Sequence, residues 1–222
     1  MLGPIRRFNN IADIVPEAHH LLGGYHPLSG YLAGKARGGM YVQKLEDNFA
    51  EVFHVKHAIA CNSATSGLLA AAFAVGLGTG DTFVCPAMTM SATAAAPMFT
   101  GAMPRFEDVE DETFGLRDAG SKPDTPKAIF VSNLFGHAAN LHLIRKFCDD
   151  SDLYMIEDNS QSPFATDNGK FAGTIGHIGV FSFNIHKPLQ CGEGGMVVTD
   201  DETLANRLRA FINHGEVIGG PI

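Results

Sequence analysis

The spacing of hydrophobic and polar positions changes several times along the chain, and each change predicts an element. From Tyr41 to Phe53 the apolar positions Val42, Leu45, Phe49 and Val52 recur at helical spacing, with acidic residues between them. A short apolar run, His57 to Cys61, predicts a strand. The stretch Asn62-Ser63-Ala64-Thr65-Ser66-Gly67 then opens an Ala-rich helix that ends near Gly76 to Gly80. Further strands are predicted over Thr82–Cys85, Met103–Phe106, Lys127–Ser132, Leu153–Glu157, Gly179–Phe183 and Gly195–Thr199. Helices are predicted over Ser91–Phe99, Leu141–Asp149 and Asp201–Asn213. Short apolar strands alternating with helices predict an α/β fold, a mostly parallel central sheet flanked by helices. In such sheets ligands bind beyond the carboxyl ends of the strands, so the residues just after each strand are where chemistry is expected. Residues 1–40 read as an irregular, Gly-punctuated N-terminal segment, and residues 41–215 as one large domain.

Composition narrows the picture without redirecting it. At 222 residues, 45% hydrophobic and 18% charged, the chain can bury a sizeable core. A net charge of -8, with no Lys/Arg cluster, argues against a nucleic-acid partner. No apolar run reaches membrane-spanning length and the N-terminus lacks a signal-peptide core, so no membrane partner is expected. Cys61, Cys85, Cys148 and Cys191 form no CxxC pair and read as reduced, mostly buried thiols of a cytoplasmic protein. The ten histidines contain no HExxH or HxH arrangement, so no metal site is expected.

Candidate chemistry lies at three strand ends. The segment from Gly169 to Thr199 carries only three formal charges, Lys170, Lys187 and Glu193. Lys187 lies between the apolar runs GVFSF and MVVT, beside Pro188 and the glycines 192, 194 and 195. An ammonium held between buried strands is desolvated, and desolvation favours the nucleophilic free amine. Alternatively, the side chain snorkels out of a tight loop. Ser63-Ala64-Thr65-Ser66 stands at a helix N-terminus, where free N–H groups and hydroxyls suit a phosphate or form a plain N-cap. Glu157-Asp158-Asn159-Ser160-Gln161 follows an apolar strand; an acid there could hold a proton on a ring nitrogen or cap a following turn. Ser182 adds a hydroxyl ahead of Lys187. A phosphate cradle, a carboxylate and an isolated lysine are together what pyridoxal 5'-phosphate requires. Neither GxGxxG nor GxxxxGK[ST] is present, which argues against a dinucleotide or a nucleoside triphosphate.

These segments resemble the DegT/DnrJ/StrS family of pyridoxal phosphate-dependent sugar aminotransferases over nearly the full chain. The resemblance rests on LEDNFAEVFHVKHAIACNSATSGL, on GDTFVCPAMTMSATAAAPMFTGAMPRFEDVEDETF, on IEDNSQ and above all on GTIGHIGVFSFNIHKPLQCGEGGMVVTDD. It implies the large domain of a fold-type I enzyme working as a homodimer. The implied reaction moves an amino group, usually from glutamate, to a nucleotide-linked keto-sugar. By the same resemblance Lys187 would hold the cofactor aldehyde as a Schiff base and shuttle a proton. Asp158 would pair with the pyridinium nitrogen and Gln161 with the ring hydroxyl. Ala64, Thr65 and Ser182 would bind the phosphate. Met90 replaces the family's usual stacking aromatic residue, and its polarisable sulfur can still cover a ring face. His137 and His186 either face substrate or cofactor or are ordinary loop and core histidines. The family's dehydratases typically have histidine in place of the lysine, so Lys187 argues against that branch; an intact set of site residues argues against a non-catalytic scaffold. Family members continue past Asn213-His214-Gly215 into a small C-terminal domain, so residues 216–222 are expected to begin a part this chain lacks.

Overall fold

The computed structural model describes residues 37–117, 126–213 and 215; the expectations for most of residues 1–40 and for residues 216–222 lie outside the described residues. Seven strands form one sheet: β1 (His57–Cys61), β2 (Thr82–Pro86), β3 (Met103–Glu107), β4 (Ala128–Ser132), β5 (Tyr154–Asp158), β8 (Ile178–Ser182) and β9 (Gly195–Thr199). Their spatial order is β1-β9-β8-β5-β4-β2-β3. Four of the six pairings are parallel, and only β9 runs antiparallel to its neighbours β1 and β8. The mostly parallel sheet expected from the alternation is therefore present. A small hairpin, β6 (Thr166–Asp167) and β7 (Lys170–Phe171), is not predicted by the sequence pattern. Its two-residue strands are too short to carry a period.

Helices cover both faces, which explains strands such as AIFVS of β4 that are buried along their whole length. On one face Phe83, Phe130, Ile156, Val180 and Val197 pack with α2 (Ala64–Ala74), α3 (Ser91–Met98) and α5 (Glu202–Ile212). On the other, Ile129, Val131 and Met155 pack with α4 (Leu141–Asp150), and Phe181, Met196 and Val198 with Phe49 and Phe53 of α1 (Met40–Phe53). Successive strand residues thus serve opposite cores. Gly67 lets α2 lie close on the sheet: a Cβ there would sit 2.9 Å from methyl groups of Val180 and Val197.

The helix predicted over Tyr41–Phe53 is present, but its inward face is rotated from the expected stripe. Val42, Leu45 and Val52 are exposed, while Phe49, Phe53 and Glu46 are buried. The cause is an ion-pair cluster: Arg209 of α5 donates to both Glu46 oxygens (2.9 and 2.8 Å), Arg37 Nε donates to Oε2 (2.9 Å) and the Ala60 N–H to Oε1 (2.9 Å). A carboxylate with four donors can be buried without being orphaned. Polar pairing, invisible to a hydrophobic period, sets the helix rotation.

Candidate active site

β1, β2, β4, β5 and β8 point their carboxyl ends to one edge of the sheet, as the pairing directions require. A cleft of about 370 Å³ opens there. It is lined by Ala64, Thr65, Met90, Asp158, Gln161, Ser182 and Lys187, every residue singled out from the sequence for the site, and also by His186. His137 is exposed on the loop after β4, its N–H donating to Leu134 O (2.8 Å), and it is not among the lining residues.

The α2 N-terminus supplies the cradle. Ser63 is the N-cap: its Oγ accepts from Ser66 N (3.1 Å) and its carbonyl from Gly67 N (3.0 Å). Among the described residues no acceptor meets the N–H groups of Ala64 and Thr65, so two donors at a positive helix end face the cleft. The N-cap alternative for this segment is present, and it leaves these two donors unpaired among the described residues. Gly195 makes room for it from beneath, since a Cβ at that position would lie 2.7 Å from Ser63 C and 2.8 Å from Ala64 N. That close approach gives a physical reason for the glycine cluster ahead of β9.

Strand alternation turns the two acids that end β5 to opposite sides of the sheet. Glu157 points away from the cleft, fully buried, accepting from the N–H groups of Gly173 (2.6 Å), Ile175 (2.8 Å) and Gly176 (2.5 Å) and from Asn133 Nδ2 (3.1 Å). Burial pushes its carboxyl above the ordinary value, against the pull of those donors. Glu157 thus performs the turn-capping role. Asp158 turns to the cleft side, where Oδ1 accepts from Ser160 N (3.2 Å) and Ser160 Oγ (2.6 Å), and Oδ2 from Thr93 Oγ1 (2.6 Å). Each carboxylate oxygen has two acceptor positions, so Oδ2 keeps one open.

Gln161 accepts from Phe135 N through Oε1 (3.3 Å), which leaves its amide N–H₂ to donate. Ser182 Oγ accepts from Asn184 N (3.3 Å) and keeps its own proton for a ligand. Met90 is the N-cap of α3 and is well exposed at the cleft's rim.

Lys187 departs from its expectation in one respect. It is not enclosed between buried strands but sits, half-buried, on the loop joining β8 and β9. The ladder continues past those strands through Phe183 N–Gly194 O, Cys191 N–Phe183 O and Ile185 N–Gly192 O, each 2.9 Å. Asn184 organises the turn: its carbonyl accepts from Lys187 N (2.9 Å), its Oδ1 from His186 N (3.1 Å), and its Nδ2 donates to Glu193 Oε1 (2.6 Å). The loop carries the amine to the cleft, where the carboxylate and cradle already face.

Sequence reasoning missed Thr89, Thr93, Ser132 and Asn184. The available signal was Thr93, one hydroxyl in the otherwise apolar run ATAAAP, and Thr89 one turn before it. An amine, an acceptor carboxylate, a two-donor anion cradle and an amide donor in one cleft can together hold a phosphorylated heteroaromatic aldehyde.

Comparison with known proteins is consistent with this arrangement. The DegT/DnrJ/EryC1/StrS aminotransferase family matches residues 31–219. GDP-perosamine synthase of Escherichia coli O157:H7 is 37% identical over 180 residues, 80% of this chain and 50% of that protein. The aminotransferase from Psychrobacter cryohalolentis superposes with a TM-score of 0.76 at 31% identity, over 97% of this chain and 53% of that one. E. coli GDP-4-keto-6-deoxy-D-mannose-3-dehydratase with bound hydrated PLP gives 0.71 at 31% identity, over 82% and 49%. The chain spans about half the length of the curated relatives it matches. With its fold and nearly all of its sequence matched, the chain belongs to the DegT/DnrJ/EryC1/StrS aminotransferase family.

Proposed function

We propose that the cleft binds pyridoxal 5'-phosphate and that the protein transfers an amino group, with glutamate as donor, to a keto-sugar linked to a nucleotide diphosphate. The observation that carries this reading is convergence: Lys187, Asp158, Gln161, Ser182 and the free N–H groups of Ala64 and Thr65 line one cleft although they come from three separate segments. The Ala64 and Thr65 N–H groups, with the Thr65 and Ser182 hydroxyls, bind the phosphate at the positive end of α2. The open position on Asp158 Oδ2 accepts the ring N–H. Gln161 Nε2 donates to the ring hydroxyl oxygen, and Met90 covers a ring face from the rim. Lys187 Nζ would hold the cofactor at its aldehyde and, as a free amine, would move a proton to and from the substrate. When bound, the cofactor supplies the electron sink for the substrate's carbon acid.

The amine at position 187 favours amino transfer over the dehydratase alternative. The reading also includes a homodimer in the cytoplasm. Met90 is exposed at the cleft, as are Phe135 and Ile185, next in sequence to the lining residues Leu134 and His186, which suits a site covered by a second chain, and all four cysteines are free. Adding pyridoxal phosphate should produce a visible absorbance band that survives gel filtration. A Lys187→Ala variant should bind the cofactor without that band; an unchanged band would remove Lys187 from its role.

A further inference from the structure

Behind Asp158 runs a line of three hydroxyls that the proposed function leaves unused. Thr93 Oγ1 lies 2.6 Å from Asp158 Oδ2, Thr89 Oγ1 lies 2.8 Å from Thr93 Oγ1, and Ser132 Oγ lies 2.6 Å from Thr89 Oγ1. Thr93 is fully buried and Ser132 nearly so, while Thr89 and Ser132 line the cleft. Three elements contribute: β4 ends with Ser132, Thr89 precedes α3, and Thr93 stands in its first turn.

The direction of the line follows from counting protons. An ionised carboxylate only accepts, and a hydroxyl has one proton to give. Thr93 must therefore donate to Asp158. Its proton being committed, it can only accept from Thr89, which in turn can only accept from Ser132. All three O–H dipoles then point toward Asp158, each polarising the next. With Ser160 supplying two more donors to Oδ1, Asp158 accepts three hydrogen bonds before any ligand arrives.

We infer that Ser132, Thr89 and Thr93 form a one-way donor chain whose work is to orient Asp158 so that its open Oδ2 position meets the N–H of a protonated ring nitrogen. A carboxylate held on both oxygens cannot turn away from the ring, so the ring N–H keeps its partner. Ser160 fills both acceptor positions of Oδ1 while Thr93 takes one of Oδ2, so only Oδ2 can meet the ring. Thr93 and Thr89 are positioning residues: they act through Asp158. This inference rests on the pyridoxal phosphate reading of the cleft.

The test uses cofactor labelled with ¹⁵N at the ring nitrogen, bound to the protein, with the nitrogen resonance reporting whether it carries a proton. Thr93→Val, which keeps the shape and removes the hydroxyl, should move the resonance toward the unprotonated position. Thr89→Val should move it the same way by a smaller amount, and Thr93→Ser should return it to the wild-type position. Asp158→Asn is the reference for full loss. An unchanged resonance in Thr93→Val, beside a shifted one in Asp158→Asn, would overturn the donor chain and leave the cofactor reading standing. If Thr93→Val does not fold, an unchanged resonance in Thr89→Val would overturn the donor chain in its place. Failure of the wild-type protein to bind the labelled cofactor, or an unmoved resonance in Asp158→Asn, would instead overturn the cofactor reading and this inference with it.

Discussion

Asp158 and Glu157 are adjacent in the chain yet serve opposite sides of the sheet, and only the period-2 geometry of β5 tells them apart. The sequence alone does not choose between a ring partner and a turn cap, because both acids carry the same chemistry and the choice depends on which face each one meets. Glu157→Gln should cost about 2 kcal/mol of stability, since an amide N–H₂ would then face backbone N–H donors in a buried site. Denaturant unfolding measures it, and a cost near zero would contradict the assigned role. Gly195→Ala acts on the site by sterics alone. Its Cβ would meet Ser63 and Ala64 backbone at under 3 Å, so α2's first turn must shift. Affinity for pyridoxal phosphate should fall by about tenfold, the equivalent of losing roughly one charge-assisted hydrogen bond to the phosphate. Unaltered affinity would show that the cradle tolerates the displacement.

At the scale of elements, the main strands and the helices were legible because short apolar runs alternate with helical spacing and are regularly punctuated. What escaped was set by polar partners distant in sequence. The rotation of α1 depends on Arg209 reaching Glu46, 163 residues away. The hydroxyl line depends on β4 lying beside the α3 entry, which no local pattern encodes. His177 supplies a further link of this kind: its Nδ1 accepts from Met155 N (2.9 Å), so it is held as the Nε2–H tautomer where β5 meets β8. Burial holds His177 below its ordinary value, and nearby Arg145 adds to the effect. Between the folded and unfolded values the unfolded chain binds more protons, so this contribution is complete above about pH 6.5 and is lost as the pH falls. The melting temperature should drop on going from pH 7.5 to 5.5, and drop less in His177→Gln; identical profiles would dismiss the residue as a contributor. The cysteines divide in the same way between packing and surface. Burial pushes Cys61 up to about 11 and Cys85 and Cys148 up to about 12, while Cys191 is exposed on the Lys187 loop. Iodoacetamide at pH 8 should therefore label Cys191 alone in the folded protein, and bound cofactor should slow that labelling. Rapid labelling of the other three would contradict the packing described.

For the whole molecule, the sheet edge matters more than any single motif. Five strand ends present their following residues to one cleft, and a half-buried loop lysine, unremarkable in isolation, gains its meaning from Asp158 and the α2 N-terminus facing the same space. These residues were legible in the sequence through their resemblance to a family and through their place after strands. The supporting hydroxyls were not, because they carry no charge and no motif. The central claim is that the Lys187 amine meets the aldehyde of pyridoxal phosphate while the ring and phosphate are held by the other groups in the cleft. Borohydride reduction of the cofactor-loaded protein, followed by proteolysis and peptide mass analysis, tests it most directly. The expected result is a phosphopyridoxyl group on Lys187 and on no other lysine; a label spread over surface lysines, or none at position 187, would contradict it.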